Sequence, residues 1–195
     1  ELNNMLATLS RFGGHISMRQ TPDGQDKPYE VNIALYDALK GTVDSKTNES
    51  DTWHIERYIC AHTIMLALEG LPAIYIHSLL GTENDHTLAE KTGRARSINR
   101  KQWNINELNE KLNDPSSHHM TVFNRLKALI KIRRKQVAFH PNATQYTLHL
   151  GDSIFAFWRE SPDRHQNIFA IHNISNKPQR IPLVELNLIA TETWY

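Results

Sequence analysis

Apolar residues recur at helical spacing along most of the chain and at strand spacing mainly near its C-terminal end. Leu2, Met5, Leu6 and Leu9 predict a short amphipathic helix over 1–11, stopped by Gly13-Gly14. Residues 15–18 suit one strand. Thr21-Pro22-Asp23-Gly24 is a turn, since Pro22 fixes φ and Gly24 tolerates a positive one. A loop then leads into a short helix with Val31, Leu35 and Leu39 at helical spacing. The small polar residues of 41–51 make a surface loop. Over 52–68, Trp53, Ile59, Cys60, Ile64, Leu66 and Leu68 supply a wide apolar face, with Asp51 or Thr52 to cap the first turn.

A short apolar run follows (Ala73, Ile74, Tyr75, Ile76), bounded by Gly70, Pro72 and Gly81. Its length and punctuation predict a buried strand, so 52–76 reads as the helix-to-strand step of an α/β fold. The composition then turns polar: Asn84, Asp85, His86, Glu90, Lys91, Arg94, Arg96, Asn99 and Arg100 lie close together. Two readings stay open here. A strand whose C-terminal end opens into a polar loop is a common ligand site, but a solvated loop has the same composition.

Residues 104–112 predict a charged helix, and Asp114-Pro115 starts another that runs to about 136. Its Lys127, Lys131, Arg134 and Lys135 read as a solvated face that also complements the helix dipole. After Pro141 the period changes. Stretches 145–150, 154–160, 167–173 and 179–183 predict four short strands separated by turn residues. The fold class is therefore α/β plus all-β, with a boundary between 1–140 and 141–195.

Composition narrows the function classes. The net charge of +1 gives no bulk electrostatic case for nucleic acid or an anionic membrane. No apolar run approaches the ~20 residues that span a bilayer, and no signal peptide is visible, so the expectation is a cytoplasmic protein. The single Cys60 points to a reduced, disulfide-free chain. Eleven His raise the question of metal. They are scattered, only His118 and His119 are neighbours, and no HExxH or paired Cys/His spacing occurs; the expectation is structural His, with no metal and no cofactor. The chain begins without Met inside a helical pattern and stops at Trp194-Tyr195, which reads as an internal fragment of a longer protein.

Four blocks carry a resemblance: PYEVNIALYDAL (28–39), LEGLPAIYIHSLLG (68–81), NDH (84–86) and GRARSINR (93–100). In this order and spacing they resemble the sucrose phosphorylase and glucosylglycerate phosphorylase branch of the α-amylase superfamily, glycoside hydrolase family 13. The resemblance covers nearly the whole chain. It implies the C-terminal part of a (β/α)8 TIM barrel over 1–140, followed by a small antiparallel β domain over 141–195. It also implies a parent enzyme that moves an α-glucosyl unit reversibly between a disaccharide or glucosylglycerate-type donor and inorganic phosphate, with retention. The rival readings are a hydrolase or transglucosidase of the same superfamily, and a non-catalytic carbohydrate-binding module derived from the barrel.

The carboxylates that the resemblance calls for as nucleophile, acid/base and stabiliser match no residue here, so no catalytic residue is assigned and the chain alone is expected to be inactive. Binding positions do match. Arg96 resembles the arginine that pairs with an upstream Asp and holds the donor glucosyl unit, a task suited to a permanently charged multiple donor. Tyr29 resembles a loop tyrosine of the phosphate and acceptor side. Glu30 stands where sucrose phosphorylases tend to have Gln, which casts doubt on fructose as acceptor and leaves room for glycerate or a polyol. Asn84 and Asp85 are either pocket-rim residues or Asx caps of the loop. The expected partners are sugar substrate and inorganic phosphate.

Overall fold

The Leu2–Arg11 segment forms the helix its spacing predicts, α1, in a computed structural model that describes residues 1–186. Contacts divide the chain into two units, Glu1–Ile59 with Ala73–Lys127, and Cys60–Pro72 with the residues from Ala128 onward.

In the first unit, Gly13 ends α1 with a φ of +92°, a conformation that a Cβ would strain. β1 (His15–Gln20) and β2 (Asp26–Asn32) then form an antiparallel hairpin around the Thr21–Gly24 turn. The loop expected for the start of the 27–39 segment is therefore a strand. Its weak alternation concealed it, because a two-stranded ribbon is decided by cross-strand pairing more than by propensity. The register slips once. Ser17 faces Glu30 while Met18 faces Pro28, so Tyr29 is the extra residue of a bulge.

The rest of this unit is helical. It comprises α2 (Leu35–Ala38), the start of α3 (His54–Ala67), α4 (Ile76–Leu79), α5 (His86–Thr92), the 3-10 helix Ala95–Asn99, α6 (Ile105–Asn113) and the start of α7 (His118–Lys135). Asp114 caps a separate turn, its Oδ1 accepting from Ser116 N at 2.9 Å, which is why α7 begins later than Pro115 suggests. Phe12, Tyr36, Tyr58, Leu80, Ile98, Val122 and Leu126 form the apolar core. At Gly81 the backbone passes so close to Val122 that a Cβ would stand 3.3 Å from its side chain.

The strand expected at 71–76 is absent. Residues 71–75 are irregular, and Ile76 opens α4. Leu71 is 84% exposed, and Tyr75 and Ile76 are half exposed. A strand exists only where a neighbour shares its N–H and C=O groups, and among the described residues nothing pairs with this segment. The long polar loop beyond it is also more regular than expected, since α5 and the 3-10 helix occupy most of it.

The second unit contains the expected antiparallel module in part. β3 (Thr144–Leu148), β4 (Ile154–Glu160) and β5 (Asn167–Asn173) pair in that order. The fourth expected strand, 179–183, is irregular and leads into a 3-10 turn, Leu183–Leu186. Residues 187–195 of the expected C-terminal domain lie outside the described residues. Arg159 on β4 is fully buried beside Phe157. Its Nη1 donates to Ala67 O at 3.1 Å, and its Nη2 donates to His140 O at 3.1 Å and Ala143 O at 3.3 Å. Arg133 donates to the Leu66 carbonyl and, through Nη2, to Gly70 O at 3.0 Å. The two guanidiniums thus satisfy carbonyls that the end of α3 leaves without intrahelical donors. No described helix is long and apolar enough to cross a membrane.

Candidate functional site

The hairpin and the 3-10 helix bring two of the expected binding residues together. Arg96 Nε donates to both oxygens of Glu30, each at 3.0 Å, across 66 residues of sequence. The Arg96 side chain is 59% exposed and Glu30 34%. Neither terminal nitrogen of Arg96 has a partner among the described residues, so both NH2 groups remain available to a ligand. The carboxylate pushes the Arg96 pKa up and keeps it charged. The resemblance implied an upstream Asp as its partner. Within this chain the partner is Glu30, and nothing in the local sequence signals that pairing.

The 3-10 helix that carries Arg96 is fixed from both sides. Gly93 ends α5 with φ +63°, and Thr92 Oγ1 donates to Ser97 Oγ at 2.8 Å. Asp85 N donates to Ile98 O at 2.7 Å. Tyr75 Oη donates to Asn99 O at 3.2 Å, which ties the segment before α4 to the same helix. Arg96 is therefore an exposed side chain on a well-anchored backbone.

Tyr29 points out of the bulge, 58% exposed, with the Arg19 guanidinium 5.5 Å from its ring. Bulges re-aim side chains, and this one separates Tyr29 from the regular alternation of β2. Arg19, Lys27, Pro28 and Tyr29 line an open hollow of about 480 Å3 at the far end of the hairpin. Two cations and an aromatic face suit an anionic or polyhydroxylated ligand.

Asn84 and Asp85 serve the backbone. Asn84 Oδ1 accepts from Ala34 N at 2.7 Å, and its Nδ2 donates to Phe12 O at 3.3 Å. Its own N–H goes to Asp37 Oδ2 at 2.5 Å. Asp85 caps α5 by accepting from Leu88 N at 2.8 Å. Of the two readings left open by the sequence, the capping geometry is the one present at Asp85.

A second group lies elsewhere in the same unit. One ligand-capable atom each from Glu83, His118 and His119 lies within 4.8 Å of the others. The sequence showed only the His118-His119 dipeptide. Glu83 joins it because the backbone after Gly81 turns over the start of α7, where His118 Nε2 and His119 Nδ1 bond the Gly81 and Leu80 carbonyls at 3.0 and 2.7 Å.

No family model matches the chain. Individual proteins do. Over 195 residues it is 34% identical to the glucosylglycerate phosphorylase of Allomeiothermus silvanus, covering 100% of this chain and 34% of that protein. Over 187 residues it is 33% identical to the glucosylglycerate phosphorylase of Escherichia coli, covering 96% of this chain and 32% of that one. The chain is a homologue of the glucosylglycerate and sucrose phosphorylases of glycoside hydrolase family 13. The sucrose phosphorylase of Bifidobacterium adolescentis is 33% identical over 131 residues, 67% of this chain and 22% of its own length. The solved structure of sucrose 6F-phosphate phosphorylase from Thermoanaerobacter thermosaccharolyticum matches with a TM-score of 0.68 at 21% identity, over 88% of this chain and 31% of that chain. That match concerns the fold alone. The homologue spans about a third of the length of the curated relatives it matches.

Proposed function

We propose that the chain is part of a retaining glucoside phosphorylase of the glucosylglycerate type, in which 1–140 completes a (β/α)8 barrel and 141–195 belongs to a C-terminal β domain. The Arg96–Glu30 pair carries the proposal. A lone Glu30 would repel both phosphate and an anionic acceptor, but a guanidinium 3.0 Å away neutralises it. What remains exposed is a set of fixed N–H donors beside a carboxylate that can accept from sugar or acceptor hydroxyls. Tyr29 contributes to the phosphate and acceptor side, while Asn84 and Asp85 hold the frame on which Arg96 sits. Relatives named glucosylglycerate phosphorylases match 96% and 100% of the chain, against 67% for the sucrose phosphorylase, which favours the glycerate-type acceptor.

On this reading the nucleophile and the acid/base carboxylate come from outside the chain, and the chain alone turns over no glucoside. The test uses the whole protein encoded by the parent gene. Incubation with glucosylglycerate and inorganic phosphate is expected to release glucose 1-phosphate, and Glu30→Gln to shift preference toward sucrose by ~10-fold or more in kcat/KM. Free glucose formed at the same rate without phosphate would instead identify a hydrolase.

A further inference from the structure

We propose that Glu83, His118 and His119 form a site for a divalent transition-metal cation of the zinc type. The donor set is two imidazoles and one carboxylate, a combination that zinc takes with one position left open. Their ligand-capable atoms lie within 4.8 Å of one another. A tetrahedral shell needs roughly 3.4 Å between donors, so closure requires a movement of at most about 1.4 Å. Glu83 is exposed and supplies that movement by side-chain rotation.

The backbone bonds leave one ring nitrogen of each histidine for a ligand. His118 Nε2 donates to Gly81 O at 3.0 Å and His119 Nδ1 donates to Leu80 O at 2.7 Å. A carbonyl can only accept, so each ring has its proton at the bonded nitrogen and a lone pair on the other. The rings stand together, with centroids 3.9 Å apart, braced by Tyr36 at 4.5 Å from His118 and by Trp103 at 5.2 Å from His119. Glu83 makes no hydrogen bond or ion pair among the described residues, and its charge acts on both rings.

Electrostatics make Glu83 decisive. The positive end of α7 and the nearby Lys101 and Lys111 disfavour a cation, and the Glu83 carboxylate offsets them. The bound ion would clip the Leu80–Glu83 segment onto α7. This inference is independent of the proposed phosphorylase activity.

The experiment is a titration of the purified chain with Co2+, read by visible absorption, followed by displacement with Zn2+. Wild type is expected to bind one Zn2+ at micromolar or tighter Kd, with an upward shift in Tm. Glu83→Gln, an exposed substitution that leaves the fold in place, is expected to weaken binding at least 10-fold. His118→Gln should do the same, with circular dichroism reporting its fold. No stoichiometric binding below about 100 μM, or unchanged affinity in Glu83→Gln, overturns the site.

Discussion

The hairpin region of the first unit and the three-stranded sheet of the second each depend on arginine, and use it differently. Arg96 is mostly in solvent, shares one nitrogen with a carboxylate, and keeps two NH2 groups open. Arg159 is fully buried, makes no ion pair with a carboxylate among the described residues, and gives its terminal nitrogens to three backbone carbonyls. Burial lowers its pKa, and the neighbouring Arg133 adds to that effect. Its Nε is left without a hydrogen bond, the one such buried side-chain atom among the described residues. A buried cation whose terminal nitrogens all meet carbonyls is committed to closing the end of a helix. An exposed one with spare donors is free to hold a ligand.

That contrast can be broken by substitution, and the largest effect belongs to Arg159. Arg159→Met keeps the volume and removes the donors, so urea unfolding should show a loss of about 2–3 kcal/mol. The cost is limited because the His140 carbonyl keeps the Ala143 N–H. A loss under 0.5 kcal/mol would mean that the guanidinium is not holding the helix end. Asn84→Ala comes next, at about 1–2 kcal/mol, since it strips the Ala34 N–H and the Phe12 carbonyl of their partner. If Asn84 were a binding residue first, activity would fall while stability stayed level.

His54 and His172 sharpen the comparison through pH. Both are buried, bonded to the Tyr36 and Phe155 carbonyls, and held by burial below the usual imidazole pKa. The unfolded chain therefore binds protons first as pH falls. Their contribution is intact above about pH 6.5 and is lost as pH drops toward the lowered folded values. Urea midpoints should decline from pH 7.5 to 5.5, and a flat profile would show that these rings titrate alike in both states. The smallest stability effect is expected for Arg96→Ala, whose melting curve should overlay wild type. In the whole enzyme the same change should cut kcat/KM by 100-fold or more. Unchanged kinetics would remove Arg96 from the site.

Local chemistry was legible wherever a residue acts on its own neighbours. The α1 stop at Gly13, the Thr21–Gly24 turn, the helix α6 and the strands β4 and β5 all follow from short-range spacing and turn residues. The ordered blocks that resemble the phosphorylases were equally visible, because they depend on residue identity alone. The run at 71–76 predicts a strand and is irregular in this chain for a physical reason: apolar length announces burial, but only a partner strand supplies the ladder.

The residues along the chain were enough for α1, α3, α6 and α7, the Thr21–Gly24 turn, three strands of the antiparallel module and the resemblance to glucoside phosphorylases. Tertiary structure alone decided that β2 pairs, that Tyr29 sits in a bulge, that Glu30 meets Arg96 and that Glu83 joins two histidines. Such pairings join residues far apart in the chain, and no periodicity along one segment encodes a neighbour that another segment brings to it.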